Sequence, residues 1–89
     1  MLYQCSNGKI LNLGNFIMIF CSEVWFKDAL QLKNPKYEVR ITYEAKDHGY
    51  QIEEFETLKE AQRFLNWLSE RLMAGNYASV KYSEYKEGV

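Results

Sequence analysis

The chain of 89 residues has little of what most small proteins of defined chemistry display: one proline, one histidine, two cysteines, and a net charge of only −1. A near-neutral balance with 11 basic and 12 acidic side chains lacks the basic footprint of a dedicated nucleic-acid binder. Cys5 and Cys21 lie too far apart for a CxxC redox or zinc motif, and in apolar surroundings they read as small buried hydrophobes. A Cys5–Cys21 disulfide requires the first and third strands to bring them together. A single histidine, His48, supplies one of the three or four convergent ligands a zinc site needs, so it reads as a solvated turn residue. The glycines form neither GxGxxG nor GxxxxGK[ST], and no serine stands in GxSxG, so phosphate-loop and serine-hydrolase chemistry have no motif to rest on. The longest apolar run, Phe16-Ile17-Met18-Ile19-Phe20-Cys21, is far too short to span a bilayer. The chain does not open with a basic stretch followed by an apolar core, and the expectation is a cytoplasmic protein without a secretory signal, its thiols reduced.

What the chain does have is apolar and aromatic mass. Hydrophobic residues make up 47%, with seven Tyr, five Phe and two Trp, which is incompatible with intrinsic disorder. The length allows one domain with a modest core. Leu2-Tyr3-Gln4-Cys5 and Lys9-Ile10-Leu11-Asn12-Leu13 flank Asn7-Gly8, a pairing that predicts a hairpin with a type I′ turn. Gly14-Asn15 marks a second turn. Phe16 to Cys21 is apolar on both faces and predicts a strand that is central or covered on both sides. Residues 22–35 read either as a helical turn or as a continuing hairpin arm, broken at Asn34-Pro35. Tyr37, Val39, Ile41 and Tyr43 alternate with polar residues in the cleanest period-two segment. Tyr50 to Phe55 returns as its partner after a polar turn, with Phe55 out of phase and a bulge expected near Glu53-Glu54.

Thr57 to Ala74 carries start, face and stop signals of one amphipathic helix. Thr57 and Glu60 fit a capping box, and Gly75 supplies the stop. Leu58, Ala61, Phe64, Leu65, Leu68 and Leu72 fall in an arc of about 120° that faces the sheet. Ala78, Val80 and Tyr82 alternate in the tail, which predicts either an added edge strand or a loosely held end. The reading is an α+β domain over residues 1–75, a four- to five-stranded antiparallel meander with one helix on one face, and a tail at 76–89 that belongs to it.

Trp67 stands roughly 120° off the centre of the helix's packing face, flanked by Arg63, Glu60 and Arg71. Tryptophan and arginine are the types most enriched at interface hot spots, so Trp67, Arg63 and Arg71 form the first candidate partner surface. The competing reading buries the indole under the tail or the 22–35 segment, with an arginine stacked on it. Trp25 and Phe26 form a second candidate, against closure of one end of the core. The carboxylates Glu44, Asp47, Glu53, Glu54, Glu56 and Glu60 read as a solvated acidic patch, because Glu56 and Glu60 serve the helix N-terminus and Glu53 and Glu54 point to opposite strand faces. Lys27, Lys33, Lys36 and Arg40 among Trp25, Phe26 and Tyr37 make a small basic-aromatic face, diluted by Asp28 and Glu38.

The segments Asn7-Gly8-Lys9-Ile10-Leu11-Asn12-Leu13 and Phe55-Glu56-Thr57-Leu58-Lys59-Glu60-Ala61 give a layout that resembles short uncharacterised bacterial and phage proteins built as a β-meander followed by one helix. The resemblance covers residues 1–74 and implies a fold, with no functional residues to carry over. The order of strands then helix is also similar to dimeric single-strand DNA binders of the coactivator type, from which the acidic balance departs. The expectation is therefore a non-enzymatic interaction or accessory protein that self-associates as a homo-oligomer or binds a protein partner, with no cofactor and no membrane. The alternative is single-stranded nucleic-acid binding through the sheet.

Overall fold

A computed structural model describes residues 1–24, 27–28, 31–32, 35–45 and 48–88, the backbone alone for 27–28 and 31–32. The strands are β1 (Leu2–Gln4), β2 (Ile10–Asn12), β3 (Met18–Val24), β4 (Lys27–Asp28), β5 (Gln31–Leu32), β6 (Lys36–Thr42) and β7 (Tyr50–Phe55). Helix α1 (Leu58–Ala74), strand β8 (Ser79–Lys81) and helix α2 (Tyr82–Glu87) follow. The class is α+β, with antiparallel-rich sheets and α1 packed on one of them, as the residue pattern predicts. The layout is richer than a single meander. One three-stranded sheet has the order β2-β1-β8, another β3-β6-β7, and β4-β5 is a separate two-stranded antiparallel sheet.

Alternation explains the second sheet. Val39 and Ile41 of β6 point towards α1 and are fully buried, while Lys36, Glu38, Arg40 and Thr42 share the opposite face. The pairing Ile19↔Ile41, Cys21↔Val39 and Tyr37↔Phe55 extends the apolar face across three strands. The register slips once opposite Val39 and Arg40, where Gln51 and Glu53 leave Ile52 as the additional residue. That bulge, one position earlier than the pattern predicts, brings Ile52, Glu53 and Phe55 to the buried side. The β6–β7 connection needs Gly49, whose φ is +82° and where a Cβ would stand 2.6 Å from the Ile41 carbonyl oxygen.

The first hairpin forms with a different turn. Gly8 N–H donates to the Cys5 carbonyl at 3.0 Å and only Gly8 has positive φ, so the loop is three residues long rather than type I′. Phe16 and Ile17 precede the third strand, and β3 is an edge strand, not a central one. The pattern is misleading here because β6, with seven residues paired to β3 and five to β7, takes the centre.

Helix α1 starts at Thr57, whose hydroxyl oxygen accepts from Glu60 N–H at 3.2 Å, and ends at Gly75 with φ 71°. Ala61, Phe64 and Leu68 are buried on the sheet, and Leu65 and Leu72 pack at the margin. Leu58, expected on that face, is exposed. The tail resolves in favour of order. β8 runs parallel to β1, sealing Val80 beside Tyr3, and α2 lays Tyr85 against α1. Phe64 is the hub: the rings of Tyr3, Phe55, Trp67, Tyr82 and Tyr85 all lie within 6.2 Å of its centroid. Both cysteines are free.

Candidate functional site

One turn along α1 from Phe64, Trp67 falls at the boundary between core and surface. Its ring stands 5.8 Å from Phe64 and 5.3 Å from Tyr85, so α2 covers one flank of it. The i, i+4 spacing sets Arg71 beside it, with the guanidinium carbon 4.2 Å from the indole centroid and 5.6 Å from the Tyr77 ring. Arg71 Nε is buried without a hydrogen-bond partner among the described residues. Arg63, Trp67 and Arg71 thus line one open groove of about 630 Å³, together with Glu70, Glu84 and Tyr85. Among the described residues, Arg63, Glu70, Arg71 and Glu84 make no ion pair. The structure therefore brings together three of the five residues singled out from sequence. Trp25 and Phe26 lie outside the described residues.

A second open surface is the side of the β3-β6-β7 sheet that faces away from α1. Met18, Phe20, Ser22 and Val24 of β3 and Glu38, Arg40 and Thr42 of β6 line a shallow trough of about 410 Å³ together with His48. Its cations are engaged within the chain. Arg40 donates to Glu38 at 2.6 Å and to the His48 and Gly49 carbonyls at 3.1 and 2.7 Å. Lys36 lies 2.6 Å from Glu56 and 3.9 Å from Glu54, and its hydrogen bond to Glu56 raises its pKa. Tyr37 shares the opposite face with Val39. Of the basic-aromatic grouping read from sequence, Lys36 and Arg40 are thus separated from Tyr37 and already engaged by carboxylates, while Trp25, Phe26, Lys33 and the Lys27 side chain lie outside the described residues.

Glu53 corrects the reading of a uniformly solvated acidic patch. It is only 4% exposed and accepts hydrogen bonds from the Tyr3 hydroxyl (2.9 Å), Ser6 N–H (2.7 Å) and the Ser6 hydroxyl (2.6 Å). This one side chain ties the first hairpin to the second sheet. Burial first, then the charge of Glu53, pushes the Cys5 thiol up to about 11 and holds the Tyr3 phenol well above its ordinary value. Cys5 is thus a protonated, packed thiol at neutral pH rather than a nucleophile. Sequence reasoning missed this tie, although the phase shift at Phe55 carried its signal: Glu53 shares a parity with Phe55.

Among the described residues, no three His, Cys, Asp or Glu side chains converge as metal ligands, and no helix is long and apolar enough to cross a membrane. No protein-family model, curated protein or solved structure matches this chain.

Proposed function

We propose that the chain is a non-enzymatic protein–protein interaction or accessory protein that self-associates, working in the cytoplasm, where its two free thiols stay reduced. The observation that carries this reading is the β3-β6-β7 sheet, which α1 covers on one face only. The other face presents Met18, Phe20 and Val24 around an open trough and ends in the edge strand β3. A small domain with apolar side chains on a sheet face that no helix covers and with an open edge gains stability by association. The groove formed by Arg63, Trp67 and Arg71 stands on a different part of the molecule and offers a contact surface for a protein partner, with an aromatic floor and charges of both signs that form no ion pair among the described residues.

Sedimentation velocity or light scattering tests the self-association, and a chain that stays monomeric at high micromolar concentration refutes it. For the groove, the reading expects Trp67→Ala to retain a cooperative unfolding transition with α1 intact. Loss of the folded state would assign the indole to the core and remove the groove's main support.

A further inference from the structure

We propose that two copies of this chain join through β3, antiparallel and about a two-fold axis at Cys21, so that two three-stranded sheets become one sheet of six strands. This rests on the self-association reading above and specifies the surface that performs it. Four observations converge on that strand. First, β3 pairs with β6 on one side only, and its other side is an edge seven residues long with an unbroken register. Second, the remaining edges of the three-stranded sheets are protected. β7 is bulged at Ile52 and bears Glu53 and Glu54, while β2 and β8 are three residues each. β3 has no proline, no bulge and one charged residue, Glu23. Third, β3 has the sequence of a strand flanked on both sides, yet none of its residues is fully buried. A second strand beside it removes that disagreement.

Fourth, matching of the faces together with full overlap of the two strands selects one register. For the two sheets to continue into each other, residues facing α1 must lie opposite residues facing the α1 of the second copy. Ile19, Cys21 and Glu23 face that side, and Met18, Phe20, Ser22 and Val24 the other. Full overlap of Met18–Val24 with itself then sets Cys21 opposite Cys21, Phe20 opposite Ser22, Met18 opposite Val24 and Ile19 opposite Glu23. Charge is compatible with this pairing, because the two Glu23 side chains stand about 14 Å apart, four residues along the ladder, beyond the Debye length. The paired edge is flanked at both ends by Ile17 and Met18, 58% and 50% exposed in the single chain. Joining the strands also sets the two troughs side by side on one face of the sheet.

The register makes a covalent readout available. Directly opposed residues of an antiparallel pair have Cα atoms about 4.5–5.5 Å apart, inside the ~4.4–6.8 Å window of a disulfide. The wild-type chain is sized by light scattering and then oxidised briefly with copper–phenanthroline at low micromolar concentration. The expected result is a dimer that becomes disulfide-linked, with no link in Cys21→Ser, where the remaining thiol, Cys5, is buried. Moving the thiol two positions, in Cys21→Ser with Glu23→Cys, is expected to slow linkage about ten-fold or more, since residue 23 then opposes residue 19. A dimer that links no faster through 21 than through 23 overturns the β3 interface and leaves self-association standing. A monomer overturns both.

Discussion

The two flanks of the molecule are finished to different degrees. Where β1, β8 and β7 meet, Tyr3 and Val80 are completely enclosed and the Glu53 carboxylate is saturated by Tyr3 and Ser6. On the far flank β3 has a strand's length and composition but no fully buried side chain, and Ile17 and Met18 stand open to solvent. Both flanks are built from short apolar strands of similar residue types. What separates them is the number of neighbours: β1 lies between β2 and β8, whereas β3 has β6 alone. Enclosure in so small a protein is thus decided by where the tail docks rather than by composition.

The contrast predicts where substitution hurts. Phe64→Ala should cost most, about 3–5 kcal/mol, because it empties the centre of the aromatic cluster; urea denaturation measures it. Glu53→Ala should cost roughly 2–4 kcal/mol by leaving the Tyr3 hydroxyl and Ser6 donors without their acceptor, with Glu53→Gln milder because a carbonyl oxygen remains. An E53A protein as stable as wild type would remove the distinction between the flanks.

Alkaline pH should loosen the same flank. At neutral pH Cys5 and Tyr3 are protonated in the folded and the unfolded chain alike, and the stabilisation is complete. As pH rises, the unfolded chain releases these protons near 9.0 and 10.0, while the folded chain retains them, the thiol to about 11. The urea midpoint should therefore fall as pH rises above 9, and fall less in Cys5→Ala. The smallest effect belongs to the open flank. Met18→Ser should change the stability of the isolated subunit by under ~1 kcal/mol, since that side chain is half exposed, while weakening any self-association seen by sedimentation.

Much of this was legible in the residues. Thr57, Glu60 and Gly75 delimit α1 because capping and left-handed backbone are local demands, and the 37–43 alternation reports one wet face of β6. Three features depend on distant partners and left weaker traces. Burial of Glu53 requires Ser6 to arrive from 47 residues away. Helix α2 is six residues long and unpersuasive by propensity, and it forms where Tyr85 meets Phe64 and Trp67. Trp67 was legible as a residue off the main stripe, and Arg63 and Arg71 do share its groove. That α2 would cover one side of the ring was not, because the tail's alternation over 78–82 masks the turn that follows.

The parallel pairing of β1 with β8 carries a consequence for how the chain acquires its shape. Leu2 N–H donates to the Ala78 carbonyl, so β1 completes its hydrogen bonding only with a strand that lies far along the sequence. Until β8 arrives, the first hairpin is solvated along one edge. Closing so long a loop is an entropic toll that no local contact offsets. Docking of β8 should therefore be a late step of folding, and a chain cut before Ser79 would leave β1 with only β2 beside it.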